Sequence, residues 1–582
     1  MSGGRLEALA AAAFNSARLP VEAVTCDLST DLREPAPGPL DRDPLAAVDA
    51  ALLELLGPCA WLATPRGRVA EAALAAALVR PGQVVLANEV YVTGAWSIAR
   101  EGGSIIEIGG ALGEARERGV LEDLDLERAA RHLGGGQVAC VWLTTPRVLL
   151  GPRGGATVDP RAIAGLVALR DRLAPAAPIV VDATKIGEWA ARAGLPGPPV
   201  AAVTWLFKQV DLVALSARKD AGGAPLGLLI ARDPGRLAAL RGPAARILGE
   251  RPYLPAAPLS ALARGLRRLG EGAGSAWREL DALAHALRRE GAPVAGWGGG
   301  ALFLDAERAL PRVPRAANPA ATLLGLLYLR AGIRGLGTPV DAHGPAIVRL
   351  SLRGHQDWLR GHLGAILDDA RTWPSGLVAD GPAPSPFLDP LRPIDPAAWS
   401  SWREGRPAPA SAGPAALGAD PAAALRAALR RRLAIDPAAV VQPLLGPRRR
   451  LAELWSRLAR PDAQVVGDPA LAQLAASWWR PPGGALGDLR IDLADRPATP
   501  REPDELRVLD LGPPRSWPAA LPLADGADLW LVDALDGGDV GALILRPGSP
   551  LARPLAEALL FTAGAPASGG IDDEVLAALA DA

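Results

Sequence analysis

The chain has 582 residues, with 62 basic against 63 acidic side chains for a net charge of −1, and 49% hydrophobic residues. A near-neutral balance implies no nucleic-acid or anionic-membrane partner. No apolar run reaches the roughly 20 residues of a membrane span, and Met1-Ser2-Gly3-Gly4-Arg5-Leu6-Glu7 lacks the charged-then-apolar layout of a secretion signal.

From the N-terminus, short apolar runs alternate with helical patterns. Residues 84–87, 104–108, 139–143, 179–182, 212–215 and 227–231 read as strands, and 68–79 and 159–173 as helices between them. That alternation predicts an α/β unit with a mostly parallel sheet covered on both faces. A helical stretch over 259–289 leads into apolar runs at 301–305 and 346–352, with helices expected at 319–331 and 356–371: a smaller α+β unit. We therefore divide the chain into a large unit (1–250, with an N-terminal arm), a small unit (251–374), a Pro/Ala-rich linker (375–415) and a C-terminal α/β region (416–582). The three scattered cysteines (Cys26, Cys59, Cys140) and five histidines form no metal spacing, so we expect no metal and a cytoplasmic location.

Lysine is the informative residue. The chain holds three (Lys185, Lys208, Lys219) against 59 arginines, so a lysine that survives points to a need for an amine. Arginine cannot form a Schiff base; lysine can. Lys219 follows the apolar run 212–215 in Ser216-Ala217-Arg218-Lys219-Asp220, a delivery of hydroxyl, cation and amine that suits pyridoxal phosphate. Asp182 ends a strand 37 residues earlier, where α/β sheets bind ligands; a carboxylate there keeps a pyridine nitrogen protonated, although the same residue could cap a helix. Thr64-Pro65-Arg66-Gly67-Arg68-Val69-Ala70-Glu71 opens a helix, and glycine with arginine at a helix N-terminus suits a phosphate; an ordinary basic loop would read alike. Arg349 lies inside the apolar strand Ile347-Val348-Arg349-Leu350-Ser351-Leu352, costly unless it meets an anion such as a substrate carboxylate or faces water on an edge strand.

Taken in order, these segments resemble the tryptophanase and tyrosine phenol-lyase family of β-eliminating lyases over about residues 20–375. Thr64–Glu71 is similar to the family's T-H-Q-G-R-x-A-E, Val181-Asp182-Ala183-Thr184-Lys185-Ile186-Gly187-Glu188 to its Y-D-A-T-R-C-V-E, and Ser216–Asp220 to its S-x-K-K-D. Weaker likenesses lie at 27–31, 299–306, 327–334 and 348–352. The resemblance implies a fold-type-I pyridoxal phosphate enzyme, aspartate aminotransferase-like in its large domain, working as a homodimer or homotetramer. By it, Lys219 would form the Schiff base and take the Cα proton, and Asp182 would pair with the ring nitrogen. Arg66, Gly67, Arg68, Ser216 and Arg218 would hold the phosphate, with Thr184 and Lys185 also lining the cofactor. Tyr91 would cover its ring, and Arg349 would bind the substrate carboxylate.

The departures from the family pattern fall on other roles. The segment at 35–45 contains no tyrosine, although the family's tyrosine there is the proposed acid for the leaving group. Val92 stands for a threonine, Leu149 for an asparagine near the cofactor hydroxyl, Lys185 for the arginine of D-A-T-R, and Ala224 for a potassium-site asparagine. The expected activity is therefore β-elimination from an amino acid with a better leaving group than a carbon ring, with transamination, β-replacement or a non-catalytic role as alternatives. Residues 416–582 contain no lysine and faintly resemble a shrunken, non-catalytic aminotransferase-like domain.

Overall fold

The structure is a computed structural model. It describes most of residues 3–401, apart from short stretches such as 29–38, 113–120, 148–153, 249–255, 339–345, 353–355 and 380–390; beyond residue 401 it describes six strands within 440–545 and little else. Seven strands form the large sheet: β1 (Ala60–Thr64), β2 (Val84–Ala87), β3 (Ser104–Glu107), β4 (Val138–Thr144), β5 (Ile179–Asp182), β6 (Leu212–Ser216) and β7 (Gly227–Ala231). Their order is β1-β7-β6-β5-β4-β2-β3. Only β7 runs against its neighbours; the rest are parallel. The expected α/β class with a mostly parallel sheet is the class observed.

Side chains of one strand alternate between two apolar layers, as a sheet covered on both faces requires. Leu86, Val141, Leu143, Ile179, Val181, Val213 and Leu215 enter one core. Val85, Ala87, Cys140, Trp142, Val180, Leu212 and Ala214 enter the other, together with Val69, Ala70 and Ala72–Ala76 of the first crossover helix. This parity points Asp182, two residues after Val180, toward that helix.

The small unit has a four-stranded antiparallel sheet: β8 (Val294–Gly298), β9 (Ala301–Asp305), β10 (Leu336–Gly337) and β11 (Ile347–Ser351), in the order β8-β9-β11-β10. Leu302, Leu304, Val348 and Leu350 pack under its helices, and the N-terminal arm contributes Leu9, Leu19, Val24 and Leu28 to the same core. The arm was assigned to the large unit from its position in the chain; apolar packing carries it to the small one. Two further expectations need correction. The stretch 259–289 is two helices, Ala256–Arg267 and Ala273–Arg289, because Gly270 between them takes a left-handed φ of 89°. The first part of the 375–415 linker is folded: strands Leu377–Ala379 and Leu391–Pro393 pair, and Trp399 on the helix Pro396–Ser401 is 1% exposed, edge-on to Phe14 and Trp373. Proline- and alanine-rich sequence hid one tryptophan large enough to hold the segment down.

In the C-terminal region, β12 (Val440–Leu445), β13 (Val465–Val466), β14 (Leu489–Leu493), β15 (Leu506–Asp510), β16 (Leu529–Asp533) and β17 (Val540–Leu545) form one sheet, ordered β12-β17-β16-β15-β14-β13. No helix among the described residues is long and apolar enough to cross a membrane.

Candidate active site

The carboxyl ends of the parallel strands lie along one edge of the large sheet, and the large-unit candidates follow those ends within a few residues. Arg66, Gly67 and Arg68 come after β1, Tyr91 after β2, Asp182, Thr184 and Lys185 at the end of β5, and Ser216, Arg218 and Lys219 at the end of β6. A parallel sheet thus brings together groups up to 153 positions apart (Arg66 to Lys219), at the place where open α/β sheets bind ligands.

Helix α1 (Gly67–Leu78) starts against β6. A Cβ on Gly67 would stand 2.6 Å from the Cβ of Ser216, so only glycine lets this helix N-terminus close on the serine. Arg66 precedes it in an extended conformation and Arg68 follows it, both half-buried. The Ser216 N–H donates to Thr184 Oγ1 at 3.3 Å, tying β6 to the loop after β5. A helix N-terminus, a hydroxyl and flanking guanidinium groups make an anion seat. Half-buried Lys219 sits in the turn after β6, its N–H donating to the Ser216 carbonyl at 3.2 Å.

Asp182 is buried, and its Oδ1 accepts the Thr184 N–H at 3.0 Å. Burial raises its pKa above the ordinary range, against the opposing pull of the Thr184 hydrogen bonds. Facing it from α1 is Glu71, whose Oε2 accepts a hydrogen bond from the Thr93 hydroxyl. Burial and the nearby Asp182 push the Glu71 carboxyl up to about 8, while Thr93 and Arg68 oppose the rise. A desolvated carboxylate gains from a cation beside it. The donor set therefore fits a group with a protonated ring nitrogen at one end and a phosphate at the other.

Arg349 comes from the other unit. It is central in β11, opposite Phe303 on one side and Leu336 on the other, which removes the edge-strand reading. Strand parity turns it away from the small unit's helices, and it is 5% exposed with no hydrogen-bond partner at Nε. Burial lowers its pKa, and Tyr91 and Glu89 are the groups near enough to oppose that. The two units thus meet with the carboxylate-binding candidate in electrostatic reach of the ring-covering candidate. Tyr91 is half-buried at the N-terminus of helix Val92–Arg100. Lys185 is buried at the N-terminus of helix Ile186–Arg192.

Sequence reasoning missed four residues that hold this arrangement. Glu71 and Thr93 are one pair; Glu71 was quoted only as part of a motif. Glu188 is the third: its Oε1 accepts the Gly299 N–H at 2.8 Å and its Oε2 the Gly300 N–H at 2.7 Å, clamping the β8–β9 hairpin to the large unit. Arg192 neutralises it at 2.8 Å, donates to the Gly155 carbonyl at 2.7 Å and lies 4.1 Å over the Trp277 ring. An ionisable residue inside the apolar-flanked helix Ile186–Arg192 was the available signal. Leu149 lies outside the described residues.

No family model matches the chain. It is similar to a protein named probable tryptophanase from Aeropyrum pernix, 29% identical over 308 residues, which cover 49% of this chain and 64% of that protein. It is similar also to proteins named tyrosine phenol-lyase: 25% identical from Clostridium tetani, covering 50% of this chain and 65% of that protein, and 27% identical from Intrasporangium calvum, covering 60% and 80%. The chain thus spans just under two thirds of the length of the first two. These names are those of the family whose motifs the sequence resembles. Among solved structures, a serine palmitoyltransferase with a pyridoxal phosphate internal aldimine gives a TM-score of 0.41 at 16% identity, covering 57% of this chain and 78% of that one. N-succinyldiaminopimelate aminotransferase from Mycobacterium tuberculosis gives 0.43 at 17%, covering 62% and 97%. Neither of these two likenesses is close enough to bear on function.

Proposed function

We propose that this chain is a pyridoxal phosphate-dependent lyase acting on an amino acid by β-elimination. The observation that carries the reading is the convergence at one sheet edge of a buried carboxylate (Asp182), an anion seat (Gly67 against Ser216) and an amine (Lys219), with the buried Arg349 of the small unit in electrostatic reach of Tyr91 after β2. Bound there, pyridoxal phosphate would supply an electron sink for the pair left when an amino-acid Cα–H bond breaks. Asp182 would keep the proton on the ring nitrogen. Gly67, Arg66, Arg68, Ser216 and Arg218 would hold the phosphate, and Thr184 and Lys185 would line the loop beside it. Lys219 would tether the cofactor and, once freed, take the Cα proton on Nζ. Arg349 would hold the substrate carboxylate with paired N–H donors, and Tyr91 would cover the ring.

The segment at 35–45 carries no tyrosine to protonate a ring carbon. A leaving group on Cβ would therefore depart with its own electron pair, as a thiolate or another heteroatom group does. The unsaturated amine left behind would hydrolyse to pyruvate and ammonia. The same absence keeps transamination or β-replacement as the second reading. A homodimer or homotetramer is the expected assembly.

The test is an absorbance spectrum of the purified protein beside Lys219→Ala, with a panel of amino acids and an assay for pyruvate. A visible band lost in the variant, shifted by one amino acid and accompanied by pyruvate, supports the lyase. A shifted band without pyruvate favours the second reading. A protein that stays colourless with added pyridoxal phosphate sinks both.

A further inference from the structure

The two large sheets of this chain have the same construction. Reading β12, β13, β14, β15, β16 and β17 as counterparts of β1, β2, β4, β5, β6 and β7, the order β12-β17-β16-β15-β14-β13 reproduces β1-β7-β6-β5-β4-β2; edge strand β3 alone has no counterpart among the described residues. Directions agree strand by strand: β17, like β7, is antiparallel to both neighbours, and the others are parallel.

The ladders agree to the residue. Ala214 pairs with Asp182, the last residue of its strand, and Leu531 pairs with Asp510, the last of its own. Thr144 and Leu493, on the preceding strands, face those aspartates from the other side. Gly227 pairs with Ser216 as Gly541 pairs with Asp533. Ala231 with Ala60 matches Leu545 with Val440, and Val85 with Cys140 matches Val465 with Leu489. Ala60 and Val85 are 25 positions apart, as are Val440 and Val465, with Arg80-Pro81 and Arg460-Pro461 at the same place between them. A one-residue slip would move every side chain of a strand to the other face, so five ladders in one common register are not a consequence of strand order alone.

We infer that residues 440–545 are a second copy of the large sheet from which the anion seat and the amine have been removed, leaving one working site per chain. Asp510 keeps the place of Asp182 and Gly541 that of Gly227. The anion chemistry is reversed: Asp533 stands where Ser216 does, a negative charge in place of a hydroxyl. By the constant spacing from β12, Leu451 takes the place of Glu71 and is likewise buried. No lysine follows Lys219.

The duplication stands independently of the proposed function; the count of working sites rests on it. A crystal structure of the full chain tests the first: the six strands of 440–545 superpose on those of 60–231 with Asp510 on Asp182 and Gly541 on Gly227, and a different strand order or a one-residue slip in any ladder overturns the inference. Equilibrium titration of the full chain with pyridoxal phosphate tests the second. One equivalent per chain is expected, weakened at least tenfold by Ser216→Asp, which copies Asp533 into the first sheet. Two equivalents, or Ser216→Asp binding as the parent does, would overturn the loss of the second seat. Absence of any binding would fail the cofactor reading while the superposition still decides the duplication.

Discussion

Glu71 is a carboxyl placed where ionisation is costly. Its pKa is about 8 in the folded protein against an ordinary 4.5, so the folded state keeps a proton that the unfolded chain has released. Its contribution to stability is intact below about pH 4.5 and is lost as pH rises toward 8. Burial raises the neighbouring Asp182 in the same direction. Glu71→Gln removes the first of these titrations. The melting temperature of the cofactor-stripped variant should therefore fall less between pH 5.5 and 8 than that of the parent, and equal slopes would show that Glu71 does not hold the proton. Gly67→Ala would press a methyl group on the Ser216 Cβ at 2.6 Å, displacing the helix N-terminus; cofactor affinity measured by titration should drop at least tenfold (about 1.4 kcal/mol). Gly67→Ala with Ser216→Gly, which opens the space, should recover part of the loss. Arg349→Lys exchanges paired donors for a single ammonium at a buried site. KM should rise about ten- to a hundredfold, from the ~1.5–3 kcal/mol of a charged hydrogen bond, with a smaller change in kcat.

Between elements, the hairpin joining β8 to β9 is held by chemistry from the helix Ile186–Arg192. Glu188 accepts two backbone N–H groups there and is neutralised by the fully buried Arg192. Backbones also touch: a Cβ on Gly155 would lie 2.2 Å from the Trp297 carbonyl oxygen, which leaves no room for any other residue. Glu188→Ala would strand both N–H groups and take from the Arg192 guanidinium the carboxylate that acts on it most strongly, leaving Asp281. A loss of about 3–5 kcal/mol in urea unfolding is expected, as for breaking a buried pair. Since β9 pairs with β11 at Phe303 and Arg349, Glu188→Gln, which keeps one acceptor, should raise KM more than it lowers stability.

Across the whole chain, the N-terminal segment and the stretch after residue 375 pack together on the small unit, Phe14 against Trp399 and both Leu9 and Trp399 against Gly325. Leu9, Leu19, Val24, Leu28 and Trp399 share its core with Tyr328 and Trp373, and Cys26–Asp27 adds a short parallel pairing to Ile333–Arg334. Removing residues 1–28 strips several fully buried apolar side chains from one cluster, each worth roughly 1.5–3 kcal/mol. The shortened chain should lose the small unit to limited proteolysis first, while the large sheet, whose two cores do not contain these residues, resists longer. Equal protection of the small unit in both proteins would contradict this packing account.

Much of the large unit was legible because each strand's own pattern reports its burial. Residues 179–182 and 212–215 read as buried strands ended by Asp182 and Ser216, and lysine scarcity singled out Lys219. Arg349 was legible as a charge in an apolar strand, though the strand's central position was not. What the sequence left open were meetings between distant residues. Glu71 finds Thr93 and Asp182, and Glu188 finds Gly299 and Gly300, only once sheet order and the packing of two units set them side by side. The repeated sheet was only faintly visible for the same reason: the copies share few residue identities, and their likeness lies in register. Local periodicity is fixed by each side chain's own partition between water and apolar surroundings, which the sequence determines; which buried polar groups meet depends on strand order and on long-range packing, and those only the tertiary structure decided.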